Sequence, residues 1–194
     1  MIGIFGGSFS PVHAGHLAVA RGVLEKKLAN EVWFMPCRRN PLKDGTTLLP
    51  DIERLRLLKM AVKYGNEKFD SEKMKISELE LTMPIPSYTR VTLERLTELY
   101  PGKKFRLIVG ADSYENFHKW KDWEWIVRNF HPVVYPRPGF AITGFKPGWT
   151  LLEGVREFDI SSTQLRDMLT HGEDVSRFMP WIGVVSKKIS SNGI

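Results

Sequence analysis

The sequence predicts one α/β domain, residues 1–194, in which helices cover both faces of a doubly wound parallel sheet. An apolar run at Ile2–Phe5, helically spaced apolar residues over Ala14–Leu28 and a second apolar run at Val32–Met35 form a strand–helix–strand unit, which implies parallel strands. Strand and helix patterns then alternate along the chain. The 194 residues, 42% of them hydrophobic, suffice for one sizeable core and contain no clear repeat or linker.

The remaining elements follow from turn residues, caps and periodicity. Pro36 stops the second strand, and the loop 36–50 is long enough to suggest a functional segment. Short apolar or alternating runs predict further strands within Lys73–Leu81, Phe105–Val109, Pro132–Tyr135 and Leu151–Phe158. Capping residues and helical spacing predict helices over Asp51–Tyr64, from Ser87 or Thr89 to Tyr100, after Ser161–Thr163, and over Trp181–Ile189. The C-terminal helical part, about residues 161–190, is expected to pack on the sheet.

Composition narrows the class of protein. The formal charge of +6 favours anionic partners such as nucleotides, phosphates or nucleic acid, without choosing among them. One cysteine excludes an internal disulfide and a multi-cysteine zinc site. The N-terminus lacks the basic start and long apolar run of a secretory signal, and no apolar stretch is long enough to cross a membrane. We therefore expect a cytoplasmic protein with no membrane partner.

The turn after the first strand is the strongest candidate site. Gly6 and Gly7 let the backbone approach a phosphate because no Cβ stands in the way. The following helix points its free N–H groups and positive dipole end at the same place. His13 and His16 share a face of that helix, so both imidazoles can donate to phosphate oxygens. The pair could instead bind zinc or cap the turn, although no third zinc ligand is evident nearby.

This turn resembles a family signature. The segment Gly6-Gly7-Ser8-Phe9-Ser10-Pro11-Val12-His13-Ala14-Gly15-His16-Leu17 closely resembles that of the nicotinate-nucleotide adenylyltransferases, which usually have Asp where this chain has Ser10. The resemblance implies a Rossmann-like sheet and nucleotidyl transfer without a covalent enzyme intermediate. It also implies catalytic roles for His13 and His16, and ATP binding by Gly6, Gly7, Ser8 and Phe9.

Two later segments resemble the ATP-binding motifs of the same family. The run Ser161-Ser162-Thr163-Gln164-Leu165-Arg166 opens a helix, and the resemblance assigns Ser162 and Thr163 to ATP phosphates and Arg166 to catalysis. An ordinary capped helix is the alternative. Gly110 and Asp112 follow a strand at the sheet edge where open α/β proteins bind ligands. Gly110 would admit ribose or adenine, and Asp112 would bind a ribose hydroxyl, order a magnesium-bound water or merely cap a helix.

A third group resembles the acceptor side of the family's site. Ser87, Tyr88 and Thr89 match a run that holds the pyridine end of the mononucleotide, and Trp120 stands where an aromatic side chain stacks on the pyridine ring. Many relatives have an aromatic residue at the position of Lys121. A lysine there either attracts the pyridine carboxylate or points to solvent.

Three basic or aromatic segments complete the candidates. In the loop with Arg38, Arg39 and Asn40, only Lys43 matches the family cleanly, as a catalytic residue that meets acceptor or ATP phosphates; a solvated loop is the alternative. Arg137 follows a strand and is expected to lie against the adenine. Trp123 and Trp125 are expected to pack in the core or between helices.

Together these segments predict transfer of AMP from ATP to nicotinate mononucleotide, forming nicotinate adenine dinucleotide and pyrophosphate. Mg²⁺ is expected to arrive with ATP, no protein metal site is expected, and a homo-oligomer is possible. The alternatives are a pantetheine-phosphate adenylyltransferase, a nicotinamide-preferring adenylyltransferase, or a nucleotide-sensing or RNA-binding module. The histidine pair and the Ser161–Thr163 run argue against such a module, so no nucleic-acid partner is expected.

Overall fold

The computed structural model describes residues 1–38, 48–140, 142, 144–156 and 158–182. Within them lies a six-stranded sheet of order β3-β2-β1-β4-β5-β6, in which every neighbouring pair is parallel. Its strands are β1 (Ile2–Gly7), β2 (Glu31–Pro36), β3 (Met74–Ile76), β4 (Phe105–Gly110), β5 (Val133–Tyr135) and β6 (Thr150–Leu151). The order reverses between β1 and β4, which confirms the predicted doubly wound, Rossmann-like fold.

Helices connect these strands and lie on both faces of the sheet. They are α1 (Ala14–Glu25), α2 (Asp51–Lys68), α3 (Leu79–Thr82), α4 (Thr89–Leu99), α5 (Ala111–Glu115), α6 (Trp123–Phe130) and α7 (Ser162–Thr170), with a short 3₁₀ turn at Phe117–Lys119. No helix in the described part of the chain is both long and apolar enough to cross a membrane.

Two hydrophobic clusters, one on each face, form the core. Successive residues of β1 point to opposite faces: Phe5 joins the cluster beneath α1, α2 and α7, whereas Ile4 joins the cluster beneath α4, α5 and α6. Because both faces of the sheet are covered, the sequences of the central strands are largely apolar and do not alternate with polar residues. Trp123 and Trp125 pack against the second cluster, as expected from the sequence.

The predicted strand within Lys73–Leu81 is largely wrong. Within it only Met74–Ile76 forms a strand, and the chain forms α3 from Leu79. The Ser77 N–H still donates to the Phe34 carbonyl, but β2 ends at Pro36, which has no N–H to continue the ladder. Helix α6 was not assigned from the sequence, and the final predicted helix is described only where it begins, at residues 180–182.

Candidate active site

A cleft of about 1180 Å³ opens at the carboxyl ends of the strands, beside the point where the strand order reverses. It is bordered by residues from β1, the start of α4, the end of β4 and the start of α7. A smaller cavity of about 180 Å³ adjoins it. The cleft and the cavity share four bordering residues, which are His16, Tyr135, Arg137 and Ser161. The site is therefore bipartite.

The glycine turn borders the cleft as predicted. A Cβ placed on Gly6 would meet no atom within 4 Å, so the backbone there faces open space. A Cβ on Gly7 would lie 3.2 Å from the Phe9 ring. Phe9 itself is only 1% exposed, has a left-handed φ of 42°, and packs edge-on against His16 at 5.1 Å. Its ring therefore supports the histidine from the core side.

A buried arginine that the sequence did not single out braces this turn. Arg54 of α2 is 0% exposed. Its guanidinium donates to the Ser8 carbonyl at 2.5 Å and to Asp51 Oδ1 at 2.6 Å. The first bond holds the backbone between the glycine pair and the histidines, and the second fixes the guanidinium on α2. No local signal marks Arg54, because the contact spans 46 residues.

His13 and His16 lie at the start of α1 with their ring centroids 3.8 Å apart. The His13 backbone N–H donates to His16 Nδ1 at 3.1 Å, which leaves the proton of a neutral His16 on Nε2. His13 Nδ1 is buried without a partner within the described residues. His16 borders both cavities, and His13 borders the smaller one.

Burial keeps both histidines neutral. It lowers the pKa of His13 to about 3, with Arg137 adding to the effect, and it lowers the pKa of His16 well below its ordinary value, with the nearby His13 and Arg137 contributing. The pair therefore supplies uncharged hydrogen-bond donors at neutral pH. Gly15 between them leaves room for this arrangement, because a Cβ there would lie 3.0 Å from the His13 ring, which is a tight contact.

The start of α7 docks on the histidine turn. Ser161 caps the helix by accepting from the Gln164 N–H at 3.2 Å. The Ser162 hydroxyl donates to the Pro11 carbonyl at 2.9 Å, and Arg166 donates to the Ser10 carbonyl at 2.6 Å and to Thr163 Oγ1 at 3.1 Å. Two motifs separated by about 150 residues thus form one wall of the cleft. Some of the hydrogen-bond donors of Arg166 are therefore already used within the protein.

Asp112 and Arg137 form an ion pair over Gly110. Their closest atoms, Asp112 Oδ2 and an Arg137 Nη, are 2.8 Å apart. A Cβ on Gly110 would lie 2.5 Å from Asp112 Oδ1 and 2.8 Å from Arg137 Cδ. Glycine at this position therefore leaves room for these two protein side chains. The expected approach of ribose or adenine to Gly110 stays a prediction. The alternative of Asp112 as a helix N-cap is wrong, since Gly110 holds that position.

The predicted acceptor residues gather along the same cleft. Ser87 is buried, Tyr88 precedes α4, and Thr89 is its first residue. Trp120 stacks on Phe117 with ring centroids 4.6 Å apart. Lys121 is exposed and borders the cleft, with its ammonium 5.2 Å from the centroid of the Tyr88 ring.

Glu80 is a further residue of the cleft that belongs to none of the predicted motifs. Glu80 on α3, which the sequence placed in a strand, is a buried carboxyl that borders the cleft and accepts from the Thr92 hydroxyl at 2.7 Å. Burial raises its pKa.

Lys43, with Arg39 and Asn40, lies outside the described residues. Arg38 borders the cleft, 3.6 Å from Asp51.

Comparison with known proteins agrees with this arrangement. Residues 4–168 match the Cytidylyltransferase-like family model. The chain is 42% identical over 178 residues to a "Probable nicotinate-nucleotide adenylyltransferase" of Bacteroides thetaiotaomicron, covering 91% of this chain and 85% of that protein. It is 36% identical to the protein of the same name from Bacillus licheniformis, covering 92% and 90%.

A solved structure shows the same fold. The Plasmodium falciparum nicotinic acid mononucleotide adenylyltransferase complexed with NaAD superposes with a TM-score of 0.73 at 21% identity, covering 96% of this chain and 95% of that one. The family model and the curated relatives, each spanning most of the sequence, show that the chain belongs to the nicotinate-nucleotide adenylyltransferases within the cytidylyltransferase-like family.

Proposed function

We propose that this chain transfers AMP from ATP to nicotinate mononucleotide, releasing pyrophosphate and forming nicotinate adenine dinucleotide. One observation carries the proposal: the histidine pair, the start of α7 and the Asp112–Arg137 pair border one bipartite site, together with Ser87–Thr89 and Trp120. Membership of the nicotinate-nucleotide adenylyltransferases indicates that the acceptor is nicotinate mononucleotide.

The reaction needs no protein nucleophile. A phosphate oxygen of nicotinate mononucleotide attacks the α-phosphorus of ATP, a new P–O bond forms, and the bond to the pyrophosphate oxygen breaks. The protein's contribution is to align the two phosphates and to stabilise the charge that develops between them.

The residues at the start of α1 and α7 suit that task. His16 offers its Nε2–H, and His13 lies against it, at a helix N-terminus that favours anions. Arg166 and Thr163 border the cleft beside them; the guanidinium would neutralise charge on the β- and γ-phosphates, and the hydroxyl would donate a hydrogen bond to them. We assign Lys43 to the same phosphates on the basis of the resemblance alone.

The two cavities suit the two rings. The smaller one has apolar walls that include Pro136, Phe158 and Ile160, and it fits a flat adenine. In the cleft, the Trp120 ring offers a surface for stacking the pyridine. Lys121 at the cleft edge would attract the pyridine carboxylate.

Mg²⁺ enters as part of the ATP substrate in this proposal. The carboxylates that border the cleft within the described residues are Asp51, Glu80 and Asp112. Each already has a protein partner, which is Arg54, Thr92 or Arg137. The ion would therefore be held mainly by phosphate oxygens, whose charge it would neutralise.

Pyrophosphate release tests the proposal. The purified chain is assayed with ATP and, in turn, nicotinate mononucleotide, nicotinamide mononucleotide and phosphopantetheine. Release should be fastest with nicotinate mononucleotide, and His16→Ala should lower turnover about a hundredfold to a thousandfold while leaving the fold intact. His171→Ala, on an exposed histidine that borders neither cavity, is the control. If no acceptor supports pyrophosphate release, the chain is better explained as a nucleotide-binding module. Near-normal turnover of His16→Ala would contradict a catalytic role for His16.

A further inference from the structure

Tyr135 lies where the two cavities meet, and no motif discussed above includes it. It is the last residue of β5 and is paired in register with Gly110 on β4. Its side chain borders both the cleft and the smaller cavity. Its ring packs edge-on against Phe5, with centroids 5.7 Å apart, so the phenol is held in one place.

The hydroxyl of Tyr135 forms no hydrogen bond with any part of the chain that the structure describes. Tyr114, in contrast, accepts from the Lys146 N–H and donates to the Gly144 carbonyl. A largely covered phenol normally has a partner. Burial raises the pKa of Tyr135, so the hydroxyl keeps its proton and can both donate and accept. It is therefore available to a ligand.

The neighbours of this hydroxyl indicate which part of a nucleotide it meets. The point where a Cβ of Gly110 would lie is 3.1 Å from Tyr135 Oη and 2.5 Å from Asp112 Oδ1. A phosphate next to these two oxygens would face the Asp112 carboxylate, which repels it and which already pairs with the neighbouring Arg137 guanidinium. A ribose diol, in contrast, can donate to the carboxylate and exchange a hydrogen bond with the phenol.

We propose that Tyr135 binds a ribose hydroxyl of the adenosine half of ATP and so selects ribonucleotides. The inference rests on the proposed function, because that function assigns the adenine to the smaller cavity and the phosphates to the cleft. The ribose joins these two parts of ATP, and Tyr135 borders both cavities.

Direct binding measurements with Tyr135→Phe test the inference. Dissociation constants for ATP, 2′-deoxy-ATP and 3′-deoxy-ATP are measured by calorimetry, without acceptor, on the natural chain and the variant. Tyr135→Phe keeps the ring and should weaken ATP binding about three- to tenfold, the size of one hydrogen bond. With the deoxy analogue that lacks the bonded hydroxyl, the same substitution should change binding less than twofold. Tyr64→Phe is the matched control, since Tyr64 is half-buried and borders neither cavity.

Three outcomes would overturn the inference. These are unchanged ATP binding in Tyr135→Phe, equal losses with ATP and both analogues, and no discrimination between ATP and the analogues by the natural chain. The thermal unfolding midpoint of the variant shows whether a loss comes from misfolding. If the midpoint of Tyr135→Phe falls, Tyr135→Leu serves as the second variant, and the same loss of discrimination between ATP and the analogues is expected. Because acceptor is absent, the result is independent of the pyrophosphate assay that tests the proposed function.

Discussion

Gly6 and Gly15 stand nine residues apart and are glycine for different reasons. A Cβ on Gly15 would lie in tight contact with the His13 ring, at 3.0 Å, whereas a Cβ on Gly6 would meet no atom within 4 Å. A neighbouring side chain thus favours glycine at position 15, whereas no described neighbour restricts position 6.

Gly6→Ala should therefore separate folding from binding. The free energy of unfolding should stay the same or rise slightly, because no neighbour is displaced and the unfolded chain loses freedom. The KM for ATP should rise severalfold, because the methyl group occupies space that the phosphates need. Denaturant titration and steady-state kinetics check the two halves. Unchanged kinetics would show that ATP does not approach the backbone there.

The neutral state of the histidine pair is a second consequence at this scale. Because burial lowers the pKa of His13 to about 3 and that of His16 well below its ordinary value, neither ring should titrate between pH 5.5 and 8. His16 should also carry its proton on Nε2, since Nδ1 accepts from the His13 N–H. Long-range ¹H–¹⁵N spectra report both properties directly. An imidazolium signal from either ring at pH 7 would contradict the assignment.

At the scale of elements, α2 holds the turn that follows β1 through one buried side chain. Arg54 and Arg56 are two residues apart on this helix, and each pairs with an acid on it. Arg54 also bonds the Ser8 carbonyl from a fully buried position, whereas Arg56 is mostly exposed. Of these two arginines, only Arg54 connects α2 to the segment directly after β1.

Arg54→Leu should therefore lower the free energy of unfolding by about 1–3 kcal/mol, because the Ser8 carbonyl loses its partner. It should also lower kcat, since the turn that positions His13 loses its brace. Arg56→Leu, which removes a solvent-screened pair, should change stability little. Chemical denaturation and turnover of both variants check the contrast. Equal effects of the two substitutions would show that Arg54 does not brace the turn.

At the scale of the whole molecule, the buried histidines make stability depend on pH. In the unfolded chain a histidine binds a proton near pH 6.5, but in the folded chain His13 and His16 stay neutral well below that. The unfolded state then binds more protons, so stability is full above about pH 6.5 and falls as the pH drops towards the folded pKa values. Each histidine contributes at most about 1.4 kcal/mol per pH unit.

Denaturant unfolding at pH 7, 6 and 5 measures this loss. The variant His13→Asn with His16→Asn should lose less stability over that range than the natural chain. The raised pKa of Glu80 acts in the opposite sense, favouring the fold less as the pH rises above 4.5, but it is common to both proteins and cancels in the difference. Parallel pH dependences for the two proteins would mean that the histidines protonate as easily in the fold as in the unfolded chain.

Local patterns predict much of this fold. The run Ile2–Phe5 indicates a strand, the spacing in α1 indicates a helix and the Ser161 cap indicates where α7 begins, because backbone geometry links period to element type. The start of α2 was also predicted correctly, but Pro50 and not Asp51 is its N-cap. Short elements were less predictable. Lys73–Leu81 alternates like a strand, but the length of β3 depends on where its neighbour β2 ends, which no local window contains.

By itself, the sequence determined the alternation of strands and helices apart from α3, α5 and α6, the identity of the motifs and, through their resemblance to a family, the class of reaction. Only the tertiary structure brought Ser162 to the Pro11 carbonyl, buried Arg54 beneath Ser8 and left the Tyr135 hydroxyl open at the junction of the two cavities. The physical reason is that period and capping act within a few residues, whereas burial and the position of charged groups depend on neighbours far away along the chain.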